Sequence, residues 1–263
     1  MRRVFHVLGI FAACGLILAS FAAAYVLTGA SDAQTRVYYR VELPDASAGM
    51  LDVTLTITPG PSPFIDLYLQ DPLQRGETRI KDLTSTRAGR PLAHWQALPF
   101  FPNMVRVWNG FSSTAITVTY RVSLPYPEDG GANRRYPGPE FIFVRGMEIL
   151  YSPLSVRDIL QPDFDHPSID AGFAEADVIL PAGWTMVSPY GSGKISTPVA
   201  NLRNGYFSFG PFSIQEMAIG KTPLLFGVYE GLPAGRRADL MAQIPLLFET
   251  MQRGRNWKPG VRG

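Results

Sequence analysis

Thr114-Ala115-Ile116-Thr117-Val118-Thr119-Tyr120-Arg121-Val122-Ser123-Leu124-Pro125 decides the fold class. From Ile116 to Leu124 every second residue is apolar, and Thr117, Thr119, Arg121 and Ser123 between them are polar. A period of two buries one face and wets the other, which is the pattern of a strand in an antiparallel sheet. β-branched residues and tyrosine suit its pleated surface. Pro125 ends it, because proline cannot donate to the ladder.

The same grammar recurs on both sides. Upstream, Met104 to Trp108 forms a short strand, and Asn109-Gly110 is a tight hairpin signal lengthened by Phe111-Ser112-Ser113. Arg79 to Thr86 leads through Ala88-Gly89 to a return strand at Arg90-Pro91-Leu92, and Phe64 to Leu69 alternates. Leu51-Asp52-Val53-Thr54-Leu55-Thr56-Ile57-Thr58 is a near-ideal amphipathic strand closed by Pro59-Gly60-Pro61. Val37 to Pro44 alternates too. Its Tyr39-Arg40-Val41-Glu42-Leu43-Pro44 parallels Tyr120-Arg121-Val122-Ser123-Leu124-Pro125. The segments that follow the two copies do not match, so two strands converging on one pattern explain it better than an internal repeat.

Downstream, Tyr126 to Pro139 reads as a surface loop, Glu140 to Tyr151 as apolar chain, and Ser152 to Asp170 as irregular. Ala174 to Trp184 is a strand running into a turn, and Gly205–Gly210, Phe212-Ser213-Ile214 and Leu224–Tyr229 continue the β character. After Leu232 the period changes. Leu240, Met241, Ile244, Leu247, Phe248 and Met251 recur at helical spacing, and Pro245 is expected to kink or split that helix. The expected fold is therefore mainly β, an antiparallel sandwich or saddle-like set of sheets, with an N-terminal membrane or signal helix and a short C-terminal helix. Residues 1–33 form the targeting segment, 34–231 the β-rich domain, and 232–263 the amphipathic helix with its basic tail.

A chain of 263 residues can bury a sizeable core, and scattered glycine (25) and proline (23) supply turns between short strands. The net charge of +2 gives no electrostatic reason to expect nucleic acid. The only cysteine is Cys14, which leaves the rest of the chain without a disulfide, a thiol nucleophile or a cysteine metal site.

Arg2 and Arg3 precede an apolar run from Val4 to Leu27 broken only by His6 and Ser20. About 20 apolar residues suffice to cross a bilayer, whereas cleavable signals carry a shorter run of roughly 7–15. Run length points to an anchor, while Ser31-Asp32-Ala33 offers the small residues of a cleavage site. Both alternatives stand: membrane attachment through residues 4–27 with the bulk outside the cytoplasm, or a periplasmic or secreted chain after cleavage. Phe11-Ala12-Ala13-Cys14 resembles a lipoprotein site only superficially, because the apolar run continues past Cys14. The arginines stay cytoplasmic in both main cases.

Chemistry-bearing motifs are sparse. Asp163, Asp165, His166 and Asp170 form the densest group of ligand-type side chains, but Pro167 and Ser168 break a calcium-loop pattern, and a solvated loop explains the group. Gly191-Ser192-Gly193-Lys194 lacks the earlier glycine and the following Ser or Thr of a phosphate loop. No G-x-S-x-G elbow accompanies His94 or His166, so no Ser-His-Asp triad is assigned. Trp95, Trp108 and Trp184 could stack on sugars, although large aromatics in such sheets more often fill a core. No residue is assigned a catalytic, cofactor-binding or metal-ligating role, and no cofactor is expected.

The order of Tyr39-x-Val41, Leu51-x-Val53-x-Leu55-x-Ile57, Arg79-Ile80-Lys81-Asp82-Leu83, Gly89-Arg90-Pro91-Leu92, Val118-x-Tyr120-x-Val122 and Val178-x-Leu180-Pro181-x-Gly183-Trp184 resembles the N-terminal β-domain of the glycyl aminopeptidase family of zinc metallopeptidases. Aminopeptidase-N-like enzymes carry a related saddle-shaped domain. The resemblance spans roughly Arg36 to Glu230. In that family zinc sits in a later helical domain, on an H-E-x-x-H helix whose two histidines share one face. The three histidines here, His6, His94 and His166, cannot form that pair. The helix from Leu240 to Met251 resembles the first helix of the catalytic domain. The resemblance thus implies a non-catalytic exported domain that supports or walls the substrate cleft of a catalytic unit absent from this chain. Its partner would be a separately encoded catalytic domain or other protein. The rival reading is a stand-alone membrane-tethered module that binds protein or glycan.

Overall fold

The computed structural model describes residues 36–44, 49–60, 62–69, 80–98, 101–123, 141–153, 173–219 and 222–255. In chain order these form β1 (Arg36–Glu42), β2 (Met50–Thr58), β3 (Phe64–Tyr68), β4 (Ile80–Arg87), β5 (Arg90–Pro91) and β6 (His94–Leu98). There follow β7 (Phe101–Trp108), β8 (Ile116–Ser123), β9 (Ile142–Arg145), α1 (Gly146–Ile149), β10 (Ser152–Pro153) and β11 (Phe173–Ile179). The remainder comprises β12 (Thr185–Val187), β13 (Ile195–Pro198), α2 (Val199–Asn204), β14 (Tyr206–Gly210), β15 (Phe212–Ile219), β16 (Thr222–Tyr229) and α3 (Ala234–Arg255). The apolar run of residues 4–27, the loop from Tyr126 to Pro139, the Asp163–Asp170 group and most of the basic tail lie outside the described residues. Among the described residues no helix is long and apolar enough to cross a membrane.

Four sheets carry the fold. The largest has seven strands in the order β13-β11-β1-β2-β8-β4-β5. A four-stranded sheet runs β10-β3-β7-β6, a three-stranded one β12-β14-β9, and β15 pairs with β16. Strict alternation on β1, β2 and β8 sends Val37, Tyr39, Val41, Leu51, Val53, Leu55, Ile57, Ile116, Val118, Tyr120 and Val122 into one core. That core also takes Ile65, Leu67 and Val107 from the second sheet, Ile142, Phe207 and Phe209 from the third, and Ile149 and Leu202 from the short helices.

The register explains the matched hexapeptides. β1 and β8 flank β2 on its two sides, with Val53 opposite both Val41 and Tyr120, and Leu55 opposite both Tyr39 and Val118. Each flank needs the same face buried, so each carries the same pattern. Between β4 and β5, Ala88 (φ 48°) and Gly89 (φ 75°) are both left-handed. Arg87 pairs with Arg90 across them, as a two-residue hairpin of the primed type requires.

The structure corrects the sequence reading in three places. Pairing is not antiparallel throughout: β1 and β11 run parallel, with Val37 beside Ala174 and Val41 beside Val178. The long stretch between them supplies the crossover that a parallel pair needs. Asn109-Gly110 does not close a hairpin. It links β7 in the second sheet to β8 in the first, because the buried Asn109 amide bonds to Ser62 O (2.6 Å) and Ser112 O (2.8 Å) and pins the connection to the segment before β3. Finally, α3 is neither short nor split. It runs 22 residues through Pro245, which removes one backbone donor and leaves the helix continuous.

Candidate functional site

His94 is the histidine that the described residues include. Its Nδ1 lies 2.9 Å from the hydroxyl of Ser85. Ser85 in turn donates to Leu92 O at 2.9 Å. A hydroxyl has one proton to give, so the ring N–H donates to Ser85 and the serine is not activated as a nucleophile. The pair fastens β4 to the β5–β6 segment. Lys194 ends 3.4 Å from Glu175, so the Gly191–Lys194 turn sits against β11 and its cation faces a carboxylate. Among the described residues no three His, Cys, Asp or Glu side chains gather within reach of one ion. Trp184 packs against the core, and Trp95 stands edge-on to Phe64 at 5.6 Å between ring centres. Trp108 meets the same ring at 5.1 Å and is 44% exposed.

Two buried polar arrangements escape a reading of the sequence. Asp66 and Arg106 face each other across β3 and β7 with side chains 0% and 2% exposed. Nε and Nη2 of Arg106 donate to the two carboxylate oxygens at 2.6 Å each, and the guanidinium also lies over the Phe64 ring. Burial pushes the Asp66 carboxyl above its ordinary range, and the guanidinium pulls it back. Both residues occupy what alternation marks as the wet face of their strands. Only the register, which sets them directly opposite, reveals the pair.

The second arrangement surrounds the segment after α1. Tyr39 donates to Tyr151 O at 2.8 Å, Tyr120 donates to Ile149 O at 3.0 Å, and Tyr151 N–H donates to the Tyr120 hydroxyl at 3.0 Å. The rings of Tyr120 and Tyr151 meet edge to face at 4.9 Å. Burial raises the phenol pKa of all three tyrosines well above the ordinary value. Beside them α1 crosses α2 so closely that a Cβ on Gly146 would stand 2.1 Å from Leu202 O. Gly146 N–H donates to Gly205 O at 2.9 Å. These groups satisfy one another, hold β9, α1 and β10 against the largest sheet, and leave no reactive atom directed at solvent.

The C-terminal elements differ. Ala234, Arg237, Ala238 and Met241 of α3 face Ser213, Gln215 and Val228 of the β15–β16 hairpin across a half-open cavity of about 270 Å³. These helix residues, spaced three and four apart, are the side that meets the hairpin. The apolar stripe read from sequence overlaps that side only in part: Met241 belongs to both and Ile244 is half-buried. Leu240, Leu246 and Leu247 are exposed, the last two by 63% and 60%, and Leu225 on β16 is exposed as well.

No protein-family model and no curated protein matches the chain. Solved structures do. An aminopeptidase N family protein from Idiomarina loihiensis superposes with a TM-score of 0.62 at 16% identity, over 82% of this chain and 36% of that one. An M1 zinc metallopeptidase from Deinococcus radiodurans gives 0.43 at 16% identity, over 78% of this chain and 50% of its own. The leukotriene A4 hydrolase of Saccharomyces cerevisiae gives 0.45 at 12% identity, over 86% and 36%. The chain spans only a third to half of these proteins, and its fold resembles the N-terminal domain of M1 metallopeptidases.

Proposed function

We propose that this chain is a non-catalytic β-domain that supports a metallopeptidase-type catalytic unit and walls its substrate cleft. The observation behind this reading is the apolar surface of α3 and β16. Leu225 on β16 and Leu240, Leu246 and Leu247 on α3 are exposed and take no part in the buried core. Leu240 and Leu247, seven residues apart, fall on one side of α3, and an apolar helix side left exposed suits a surface built to be covered. Two buried arrangements of the β-domain complement this, since Asp66 with Arg106, and Tyr39 and Tyr120 with the segment after α1, bond to partners within the domain. Residues 4–27 would tether the domain to the membrane, or direct its export, with the bulk outside the cytoplasm.

A photo-crosslinkable residue in place of Leu247, with Ser192 as the control position, tests the reading in the full chain expressed in its own cells. The expected adduct forms at position 247 and contains a polypeptide with an H-E-x-x-H helix. A monodisperse, soluble monomer with no adduct at 247 would contradict it. A second reading, a stand-alone membrane-tethered module that binds protein or glycan, draws on the exposed Trp108 beside Phe64 and Trp95. Adducts at Trp108 with none at Leu247 would favour it.

A further inference from the structure

One end of the β-domain gathers features that the proposed role leaves unused. β1 begins at Arg36 opposite Thr58, and β8 begins at Ile116 opposite Ile57. Thr86, just before the β4–β5 turn, lies opposite Thr117, and Phe173 at the start of β11 lies opposite Pro198. The start of β1, the Ala88-Gly89 turn, the connection from Trp108 to Ala115 and the start of β11 therefore share one pole. It displays Phe111 (67% exposed), Phe173 (66%) and Trp108 (44%).

The connection carrying two of these aromatics is built rather than loose. Asn109 is fully buried, and its amide spans Ser62 O and Ser112 O while its oxygen accepts from Nη2 of Arg87. Arg87 Nη2 also donates to Asn109 O at 2.9 Å, tying the β4–β5 turn to the loop. Asn109, Gly110 and Phe111 donate their backbone N–H groups to Pro63 O and Ser62 O at 2.7, 3.0 and 3.1 Å. So fastened, Phe111 is held at φ +60°, a conformation that a bulky residue avoids unless its surroundings impose it. A phenylalanine fixed there and turned outward serves contact, not folding.

Charge identifies the partner. Arg36 and Arg90 are exposed at this pole, with Arg87 between the turn and the loop. The described residues of its segments (36–37, 58–60, 62–63, 86–91, 108–116, 173–174 and 197–198) include no Asp or Glu. The carboxylates of Glu42, Asp52 and Asp82 belong to the opposite end of the same sheet, and Glu175, next along β11, lies 3.4 Å from the Lys194 ammonium. A glycan would need polar groups beside the aromatic faces, and those of Asn109 are already spent on the loop. Aromatic tips ringed by arginine suit a phospholipid surface, where rings sit among the headgroups and guanidinium groups meet phosphate. Arg36 also fixes the distance. The link from Leu27, at the end of the apolar run, to Arg36 reaches at most about 30 Å when fully extended.

We propose that the pole bearing Trp108, Phe111, Phe173, Arg36 and Arg90 docks on an anionic phospholipid bilayer. The proposal rests on the tether reading above, in which residues 4–27 enter that bilayer beside the pole. The test uses the full chain with Cys14→Ser and a single reporter fluorophore on Phe111→Cys, with Lys81→Cys at the far pole as the reference. The chain is reconstituted in vesicles of phosphatidylcholine with or without phosphatidylserine, and quenching by a lipid-borne nitroxide is read. Flotation of the vesicles reports the tether separately: a chain that fails to float overturns the tether reading and the docking with it. In a floating chain, docking predicts strong quenching at 111 and none at 81 when phosphatidylserine is present. Arg36→Gln and Arg90→Gln each weaken the docked state roughly fivefold. Equal quenching at 111 and 81 in a floating chain would overturn the docking and leave the tether standing. Quenching at 111 indifferent to phosphatidylserine and to both arginines would overturn the assignment of an anionic surface.

Discussion

The interior beneath the seven-stranded sheet and the surface of α3 treat side chains in opposite ways. Inside, charged and phenolic groups lie where alternation would place solvent or plain hydrocarbon, and nearby atoms of the same domain satisfy them: Arg106 meets both oxygens of Asp66, and Tyr120 both donates and accepts. On α3 and β16 the reverse holds, with leucines left in water. A region that answers its own needs is finished as it stands. A region that leaves apolar area uncovered is finished by something else, so the two should respond differently to the same kind of perturbation.

The largest effect is expected at the ion pair. Arg106→Met leaves a buried carboxylate without its partner and should cost about 3–5 kcal/mol, read as a lower denaturant midpoint. Asp66→Leu with Arg106→Met removes both charges and should recover most of that loss. A single mutant as stable as the wild type would show that the interior does not depend on the pair. Gly146→Ala forces a methyl group into the Leu202 carbonyl and should cost about 1–3 kcal/mol as α1 and α2 separate.

Tyr120→Phe comes next. It leaves the Tyr151 N–H and Ile149 O without their partner and should cost about 1–3 kcal/mol. The same tyrosines set an alkaline limit. Tyr39, Tyr120 and Tyr151 have phenol pKa values raised in the folded state, so the folded chain holds its protons where the unfolded chain loses them. Their stabilisation is complete below the unfolded phenol pKa of about 10 and is lost as pH rises beyond it. Tyrosinate absorbance from these three residues should therefore appear together with unfolding. The smallest effect belongs to the other region: Leu247→Ser should leave the stability of the free chain within about 0.5 kcal/mol while abolishing the adduct expected at that surface. A large loss of stability from Leu247→Ser would erase the contrast.

Much of the β architecture is legible in the sequence because alternation states which face is buried. Leu51 to Ile57 and Ile116 to Val122 need no structure to be read as strands, and Ala88-Gly89 announces its own turn. What alternation cannot state is what covers the second face. Asp66 and Arg106 therefore pass for solvated residues, and Tyr39 and Tyr120 pass for plain core residues although their hydroxyls reach the backbone at Tyr151 and Ile149. The parallel pairing of β1 with β11 is invisible for a related reason, since register between distant segments leaves no local mark. Asn109-Gly110 misleads because its local preference for a hairpin loses to the buried amide bonds that tie it to another sheet. Pro245 misleads because propensity counts one lost donor and not the turns on either side of it that keep α3 whole. The reading of the candidate site as empty of catalytic chemistry comes from motif spacing alone, and at His94 the geometry adds the direction of the proton.

The central claim is that this chain supports a catalytic unit and performs no hydrolysis itself. The direct measurement is zinc content together with hydrolysis of alanyl and glycyl p-nitroanilides by the purified full chain. The account predicts substoichiometric, weakly held zinc and no turnover above the buffer rate. Stoichiometric zinc with peptide-bond hydrolysis, abolished by His94→Ala or His166→Ala, would contradict it.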